Sequence, residues 1–168
     1  KNDKTGLTVL GSCYLNGNEV NKNDEKAFEY YIQAAAMGEE MALNQIGWMY
    51  MNGIGVEEDP SQAYFWFNES AQKGDDTGMY NLACCYRDGY GVEQDIEKAA
   101  EWYKKATEAG YIDAMLALGQ YYQEHMIDFD KAEKWLLKAA EAGSAEAMNM
   151  PGVFYSDTMC DDTSAVKW

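Results

Sequence analysis

The sequence predicts an all-α protein built from a two-helix unit that repeats along the chain. Three observations lead to this prediction: a self-similarity at 36 residues, side-chain acceptors where each second helix should begin, and glycines where it should end. Small or apolar residues also recur at one-turn spacing, as in Ala42, Ile46 and Tyr50, which is typical of one face of a helix.

The repeat is clearest in residues 46–56, whose pattern returns at residues 82–92 and, more weakly, at residues 10–20. A fourth copy begins at Leu118 and has lost three residues from its loop, and a fifth, incomplete copy starts near Ala147. We therefore predict a single array, with repeats near residues 5–40, 41–76, 77–112, 113–145 and, in part, 146–168.

The predicted helices come in pairs, at residues 5–16 and 24–37, 41–52 and 60–73, 77–88 and 96–109, and 113–124 and 129–142. Each second helix follows a residue whose short side chain can accept hydrogen bonds from first-turn N–H groups: Asn23, Asp59, Asp95, Asp128 and Asp161. Each of the first four ends at a glycine able to adopt the left-handed conformation: Gly38, Gly74, Gly110 and Gly143.

Local features refine these helices. Gln62, at the third position after Asp59, completes the pattern of a capping box. Pro151 falls inside the first helix of repeat five, where proline removes a hydrogen bond, so we expect a kink or a new helix start there.

Glycines occupy positions of close helix approach in several repeats: Gly11, Gly47, Gly119 and Gly152. One second-helix column is aromatic and is expected to be structural: Tyr30, Trp66, Trp102, Trp135 and Trp168.

Composition excludes several classes of function. Acidic residues outnumber basic ones 29 to 13, giving a net charge of −16, and such a surface repels the phosphates of nucleic acids. No run approaches the roughly 18 apolar residues of a membrane span, so membrane insertion is not expected. Neither composition nor pattern assigns a compartment.

Chemistry-bearing patterns are weak, and we predict no catalytic residue, no metal site and no cofactor. The glycine pairs of the loops recur as interhelix turns and do not form a phosphate-binding loop. Most acidic clusters stand at helix starts, where they complement the helix dipole, and none has the ligand spacing of a calcium-binding loop. The four cysteines are expected to be buried, reduced thiols, since no pairing pattern links them: Cys13, Cys84, Cys85 and Cys160.

The pattern Leu-Gly-x-x-Tyr-x-x-Gly-x-Gly-Val-x-x-Asp, followed by Ala-x-x-Trp-Tyr-x-x-Ala and a closing glycine, resembles the Sel1-like repeat, a relative of the tetratricopeptide repeat. Residues 46–74 and 82–110 fit it best. Repeat one departs by having Glu19 for the second loop glycine, repeat four by its short loop at residues 124–129, and repeat five by Pro151 in the leucine position. The resemblance implies a right-handed α–α superhelix, a short solenoid whose first helices line a concave face and hold partner proteins.

By analogy with tetratricopeptide units, the variable positions of the first helices should face this groove. The groove is expected to be polar towards repeat one and acidic towards repeat four, and repeat one contributes Thr5, Thr8, Ser12, Leu15 and Asn16. The residues expected to bind a partner are Met41, Asn44, Trp48, Met51, Asn52, Tyr80, Arg87 and Leu116. Trp48 is the proposed anchor because it stands outside the structural column, and Trp, Tyr and Arg dominate binding hot spots.

Each of these residues also has a purely structural interpretation. Trp48 and the methionines could pack within their own repeats, and Arg87 could form a surface ion pair with a neighbouring carboxylate. We expect a protein or peptide partner with apolar and basic side chains. The alternatives are a structural segment of a longer solenoid that binds no ligand of its own and, less favoured, a hydrolase of cell-wall fragments, as suggested for some relatives.

Overall fold

The computed structural model describes residues 3–149. The described part of the chain contains helices and loops but no β-strand, and a further helical segment begins at residue 145. Five residues that carry sequence predictions lie outside the described residues: Pro151, Gly152, Cys160, Asp161 and Trp168. Eight α-helices, each of 13 residues, are α1 (Lys4–Asn16), α2 (Asp24–Ala36), α3 (Glu40–Asn52), α4 (Pro60–Gln72), α5 (Asp76–Asp88), α6 (Ile96–Glu108), α7 (Ile112–Glu124) and α8 (Phe129–Glu141).

The predicted helix ends agree with the structure to within one residue, because their capping residues act as expected. The side-chain oxygen of Asn23 accepts a hydrogen bond from the Lys26 N–H at 2.8 Å, and Asp95 and Asp128 make the same bond three residues on. All four closing glycines have positive φ, between 77° and 102°.

A second hydrogen bond joins the two helices of each repeat across the loop. The backbone N–H of the capping residue donates to the carbonyl of a tyrosine in the first helix, at 3.1 Å from Asp59 to Tyr50. This bond takes the place of the capping box predicted at Asp59, because the Asp59 N–H donates to the Tyr50 carbonyl and not to the Gln62 side chain. The same bond occurs at 2.8–3.0 Å in the other three repeats, from Asn23 to Tyr14, from Asp95 to Tyr86 and from Asp128 to Tyr122.

The chain packs as two compact units that divide inside α6, between Ala99 and Ala100. The first contains α1–α5 and its core includes Ala27, Tyr31, Ala42, Ile46 and Met49. The second contains α7 and α8, where a buried cluster is formed by Leu116, Leu136, Ala139, Ala140 and Ala147.

Glycines in the first helices receive bulky side chains from the second helices, as predicted for close approach. A methyl group at Gly47 would lie 2.7 Å from the Phe67 ring, and one at Gly119 would lie 2.7 Å from Leu136. Phe67 and Leu136 are consequently buried, at 0% and 1% exposed. The aromatic column chosen from the sequence lies one residue earlier and is only half-buried at its four described members, Tyr30, Trp66, Trp102 and Trp135. The Lys105 ammonium lies 3.6 Å from the centre of the Trp102 ring.

Successive repeats interlock through the second loop glycine. Gly55 and Gly91 have φ of 68° and 72°, and a side chain on either would collide with a backbone carbonyl in the first turn of the preceding second helix, at Asp24 and Pro60 respectively. Glu19 occupies the equivalent position of repeat one with the same backbone conformation, at φ 63°. The glycines are therefore required for stacking as well as for the turn.

The junction between α4 and α5 contains a polar cluster. Ser70 is fully buried on α4, and its hydroxyl donates to Asp75 Oδ2 at 2.7 Å. The same carboxylate oxygen accepts the Gly78 N–H at 2.8 Å and so caps α5. A methyl group at Gly78 would collide with the Ser70 hydroxyl. Ser70 on α4 therefore fits against α5 because position 78 carries no side chain.

Candidate functional site

A pocket of about 480 Å³ opens in the first unit between the first helices of three successive repeats. The 36-residue period explains why these helices contribute matching positions to the pocket. Residues 36 apart lie at equivalent points on neighbouring first helices, as Ser12 does with Trp48 and Met41 with Thr77. The lining residues are Thr8, Ser12, Leu15, Asn16, Tyr31, Met41, Asn44, Gln45, Trp48, Thr77 and Asn81.

Trp48 and Met41 give the pocket an exposed apolar surface. Met41 is 66% exposed and Trp48 is 38% exposed, whereas Ile46 on the same helix is fully buried. Asn52 supports this part of α3, since its amide donates to the Trp48 carbonyl at 2.8 Å. Large side chains left accessible beside polar ones are typical of an interaction surface.

Amide and hydroxyl groups supply the polar part of the lining. The Asn81 amide on α5 donates to the Asn44 side-chain oxygen on α3 at 2.8 Å, which ties the two helices together at the pocket wall. Tyr31 is nearly buried at the base of the pocket; burial raises the pKa of its hydroxyl, and a hydrogen bond with Ser12 opposes the shift.

The lining carries no ionisable carboxylate, ammonium or guanidinium group, although the chain has a net charge of −16. The polar residues of the lining lie mainly on α1 and α5, and its exposed methionine and tryptophan lie on α3. The negative net charge therefore acts on this pocket as a long-range field and not through an ionised group in its wall.

Of the eight residues predicted to bind a partner, the structure brings three together in the pocket: Met41, Asn44 and Trp48. Met51, Asn52, Tyr80 and Arg87 lie outside the lining. The Met51 carbonyl accepts the Tyr90 hydroxyl at 3.1 Å, which joins repeats two and three. Tyr80 is half-buried.

Arg87 adopts the ion-paired arrangement that was the alternative to partner binding. Its guanidinium donates to both oxygens of Asp88, at 2.8 and 2.7 Å, and this hydrogen bonding lowers the pKa of that carboxyl. Leu116 is 8% exposed in the core cluster of the second unit, so it offers almost no surface to a partner. Its aliphatic side chain is buried against Leu136 and its neighbours.

Sequence reasoning missed Tyr31, Gln45 and Asn81. Gln45 and Asn81 are 36 residues apart and both carry side-chain amides, so the recurrence of an amide at this position was a usable signal. Tyr31 gave no such signal, because its ring belongs to the core and only part of it borders the pocket.

Among residues 3–149, no group of three or more His, Cys, Asp or Glu side chains is arranged to hold a metal ion. Cys85 is buried, which raises the pKa of its thiol to about 12, whereas Cys13 and Cys84 are half-buried and so differ from the expectation of burial. None of the helices in this described range is both long and apolar enough to cross a membrane.

Comparison with known proteins supports the repeat assignment. The family model for the Sel1 repeat matches residues 6–39, 40–75, 77–111 and 112–144. No curated protein matches the chain.

Solved structures share the fold. A protective antigen of uropathogenic Escherichia coli with an SLR fold is 29% identical, with a TM-score of 0.88 over 99% of this chain and 37% of the antigen. A Sel1 repeat protein from Oxalobacter formigenes is 24% identical, with a TM-score of 0.89 over 99% of this chain and 68% of that one. An immunity protein from Pseudomonas aeruginosa is 19% identical, with a TM-score of 0.66 over 99% of this chain and 63% of that one. The chain thus spans little more than a third of the antigen's length.

Proposed function

Because the chain belongs to the Sel1 repeat family, we propose that it is a protein-binding module whose partner segment lies in the pocket between α1, α3 and α5. The observation that carries this proposal is the exposure of Trp48 and Met41 in a pocket walled by amides and hydroxyls. An aromatic anchor in a concave site, flanked by a few polar groups, is a frequent centre of binding energy.

The proposed partner segment has an apolar side chain that packs on Trp48 and Met41. Its backbone or side-chain amides would exchange hydrogen bonds with Asn44 and Asn81, which are held by each other at 2.8 Å. Basic residues would flank this segment, because the net charge of −16 attracts them at long range. Association should therefore slow as salt is raised, while the apolar contact should depend little on salt.

The functional groups that line the pocket favour binding over catalysis. The side chains that line the pocket offer hydroxyl, amide, thioether, indole and phenol groups, but no carboxylate, imidazole or thiol able to act as an acid–base pair. The hydrolase interpretation therefore lacks its chemistry at this site. The interpretation as a segment of a longer solenoid, with an unused groove, remains the alternative that the experiment must separate.

The test is affinity capture with the intact chain from lysates of the source organism, comparing wild type with Trp48→Ala. Phe65→Ala is the matched control, since Phe65 is 48% exposed on α4 and outside the pocket lining. A partner bound in the pocket should be retained by wild type and Phe65→Ala, and its affinity should fall by roughly 2 kcal/mol, about 30-fold, in Trp48→Ala.

A purified partner then allows calorimetric titration of the three chains at low and high salt. If every captured protein binds Trp48→Ala as tightly as wild type, the pocket is not the binding site. If nothing is retained by wild type, the segment-of-a-solenoid interpretation is favoured and the proposed function is rejected.

A further inference from the structure

The pocket between α1, α3 and α5 contains a pair of side-chain amides that present a donor and an acceptor to a ligand. The Asn81 N–H donates to Asn44 Oδ1 at 2.8 Å, and both side chains are half-buried in the lining. This bond leaves the Asn44 N–H groups as donors and the Asn81 oxygen as an acceptor. The Asn44–Asn81 pair is therefore complementary to a peptide backbone, which offers one C=O and one N–H per residue.

Two further amides of the lining extend this arrangement to the neighbouring helices. Gln45 occupies on α3 the position that Asn81 occupies on α5, since the two are 36 residues apart. On α1, the Asn16 amide nitrogen donates to the Ser12 carbonyl at 3.0 Å and to Ser12 Oγ at 3.2 Å. The Asn16 oxygen remains as an acceptor for a ligand. Uncharged amides thus follow the pocket across all three helices.

These amides favour an extended occupant over a helical one. An α-helix satisfies its own backbone N–H and C=O groups, so it would leave the amides of the wall without backbone partners. An extended segment carries unpaired N–H and C=O groups along its edges, and main-chain hydrogen bonds then supply affinity.

The apolar part of the lining agrees with an extended occupant. Among the large apolar side chains of the lining, Met41 and Trp48 are the exposed ones, and both lie on α3. A helix bound in a groove uses a row of apolar contacts spread over two turns, whereas an extended segment needs one side chain on this face. The pocket therefore offers one apolar contact flanked by groups that recognise backbone.

We propose that the pocket binds an extended peptide segment through its backbone. A C=O of the segment accepts from the Asn44 amide, and an N–H of the segment donates to the Asn81 oxygen. One apolar side chain of the segment packs on Trp48 and Met41, and its other side chains meet no ionised group in the wall. This inference rests on the proposed function and adds to it the conformation of the partner segment and the groups by which it is recognised.

The probes are four capped heptapeptides, acetyl-Lys-Ala-Ala-X-Ala-Ala-Lys-amide, in which X is leucine, methionine, phenylalanine or tryptophan. An extended heptapeptide spans about 23 Å, and a chain this short does not form a stable helix in water. Its lysines are attracted by the net charge of −16. NMR spectra of the full chain should show saturable shifts of the Trp48 indole and of the Asn44 and Asn81 side-chain amides. Trp48→Ala should weaken the tightest peptide about 30-fold.

Ester analogues of the tightest peptide test recognition of the backbone. Each analogue replaces one peptide bond by an ester, which removes a single N–H and leaves every side chain in place. We expect one analogue to bind wild type about fivefold more weakly than the parent, the factor expected for one hydrogen bond. In Asn81→Ala the same analogue and the parent should bind equally, because the acceptor for this N–H is gone.

Asn44→Asp tests the donor end of the pair. The substitution keeps an oxygen that can accept from Asn81 and replaces the outward N–H groups by a second oxygen. In high salt, which screens the added charge, it should weaken the parent peptide about fivefold. Gln62→Glu is the matched control, since it adds the same charge at an exposed amide of α4 outside the lining, and it should leave binding unchanged.

The possible results separate this inference from the proposed function. If binding requires Trp48 but every ester analogue binds like the parent, backbone recognition is overturned and the proposed function stands. A stapled, helical form of the parent that binds more tightly than the flexible form would show that the occupant is a helix. Absence of saturable shifts with all four peptides would also overturn the inference, whereas affinity capture with the intact chain still tests the proposed function. A parent peptide that binds Trp48→Ala as tightly as wild type would count against the proposed function itself.

Discussion

Substitution of Gly78 by alanine should destabilise the protein through one identifiable collision. The added methyl group would overlap the Ser70 hydroxyl and lie 2.6 Å from Ser70 Cβ, and Ser70 is fully buried. Overpacking of this kind costs about 1–3 kcal/mol, and displacing the Ser70 hydroxyl from Asp75 adds about 1 kcal/mol. Alanine regains up to about 1 kcal/mol of helix propensity over glycine, so we expect a net loss of about 1–3 kcal/mol.

The second substitution, Ser70→Ala, should relieve the collision. Alone it removes the 2.7 Å hydrogen bond to Asp75 and should cost about 1 kcal/mol. Combined with Gly78→Ala it recreates the alanine pair found one repeat earlier, where Ala34 and Ala42 are both fully buried. The double variant should therefore be no less stable than Gly78→Ala alone, with a favourable coupling energy of about 1–3 kcal/mol.

Urea unfolding followed by far-ultraviolet circular dichroism measures the four free energies of this cycle. Gly74→Ala is the matched control: its φ is 94° and no atom lies within 4 Å of an added methyl group, so its cost is conformational. That cost, about 1–2 kcal/mol, should not change when Ser70 is replaced. Additive effects of Gly78→Ala and Ser70→Ala, within about 0.5 kcal/mol, would refute the packing argument.

Three further outcomes are expected. Trp48→Ala should cost little stability because the side chain is 38% exposed, whereas Phe67→Ala, at a fully buried site, should cost about 3–5 kcal/mol in urea unfolding; equal losses would make Trp48 a core residue. Hydrogen bonds from Lys98 and Lys131 lower the pKa of the capping carboxyls Asp95 and Asp128 below the ordinary value of an aspartate, so their stabilisation is complete above that ordinary pKa and is lost as pH falls through the lowered pKa. In an acid titration followed by circular dichroism, replacing Asp95 and Asp128 with asparagine should reduce the loss of stability at low pH. An unchanged loss would exclude the two caps as its cause. Burial raises the pKa of the Cys85 thiol to about 12, so iodoacetamide at pH 8 should label it only after unfolding, as mapped by mass spectrometry; rapid native labelling would contradict its burial.

The helices were predictable because their ends are marked by chemistry that acts locally. Asn23, Asp95 and Asp128 each bind an N–H three residues on, and these contacts need no tertiary structure to specify them. Such signals identify helix boundaries more directly than hydrophobicity does. The predicted ends therefore agree with the structure to within one residue.

The site was less predictable because exposure depends on packing between repeats. Trp48 was singled out because it stands outside the structural aromatic column, Met41 was placed in the groove by analogy with related repeats, and both are exposed at the pocket. Leu116 was placed in the groove by analogy with related repeats, but its aliphatic side chain is buried against its own unit. Arg87 could not be assigned from sequence, because a bidentate pair with the adjacent Asp88 depends on side-chain geometry.

The hydrogen bond between the tyrosine carbonyl and the capping N–H has a consequence for how the loops can vary. Nine positions separate the two residues in repeats one to three, but only six separate Tyr122 from Asp128 in repeat four, and the bond persists at 3.0 Å. The helix ends are thus tied to each other directly, and the connecting segment is free to change in length. Foreign sequence grafted between Glu124 and Asp128 should be displayed without disturbing α7 or α8, which makes this loop the natural insertion point for an epitope or a fluorescent reporter.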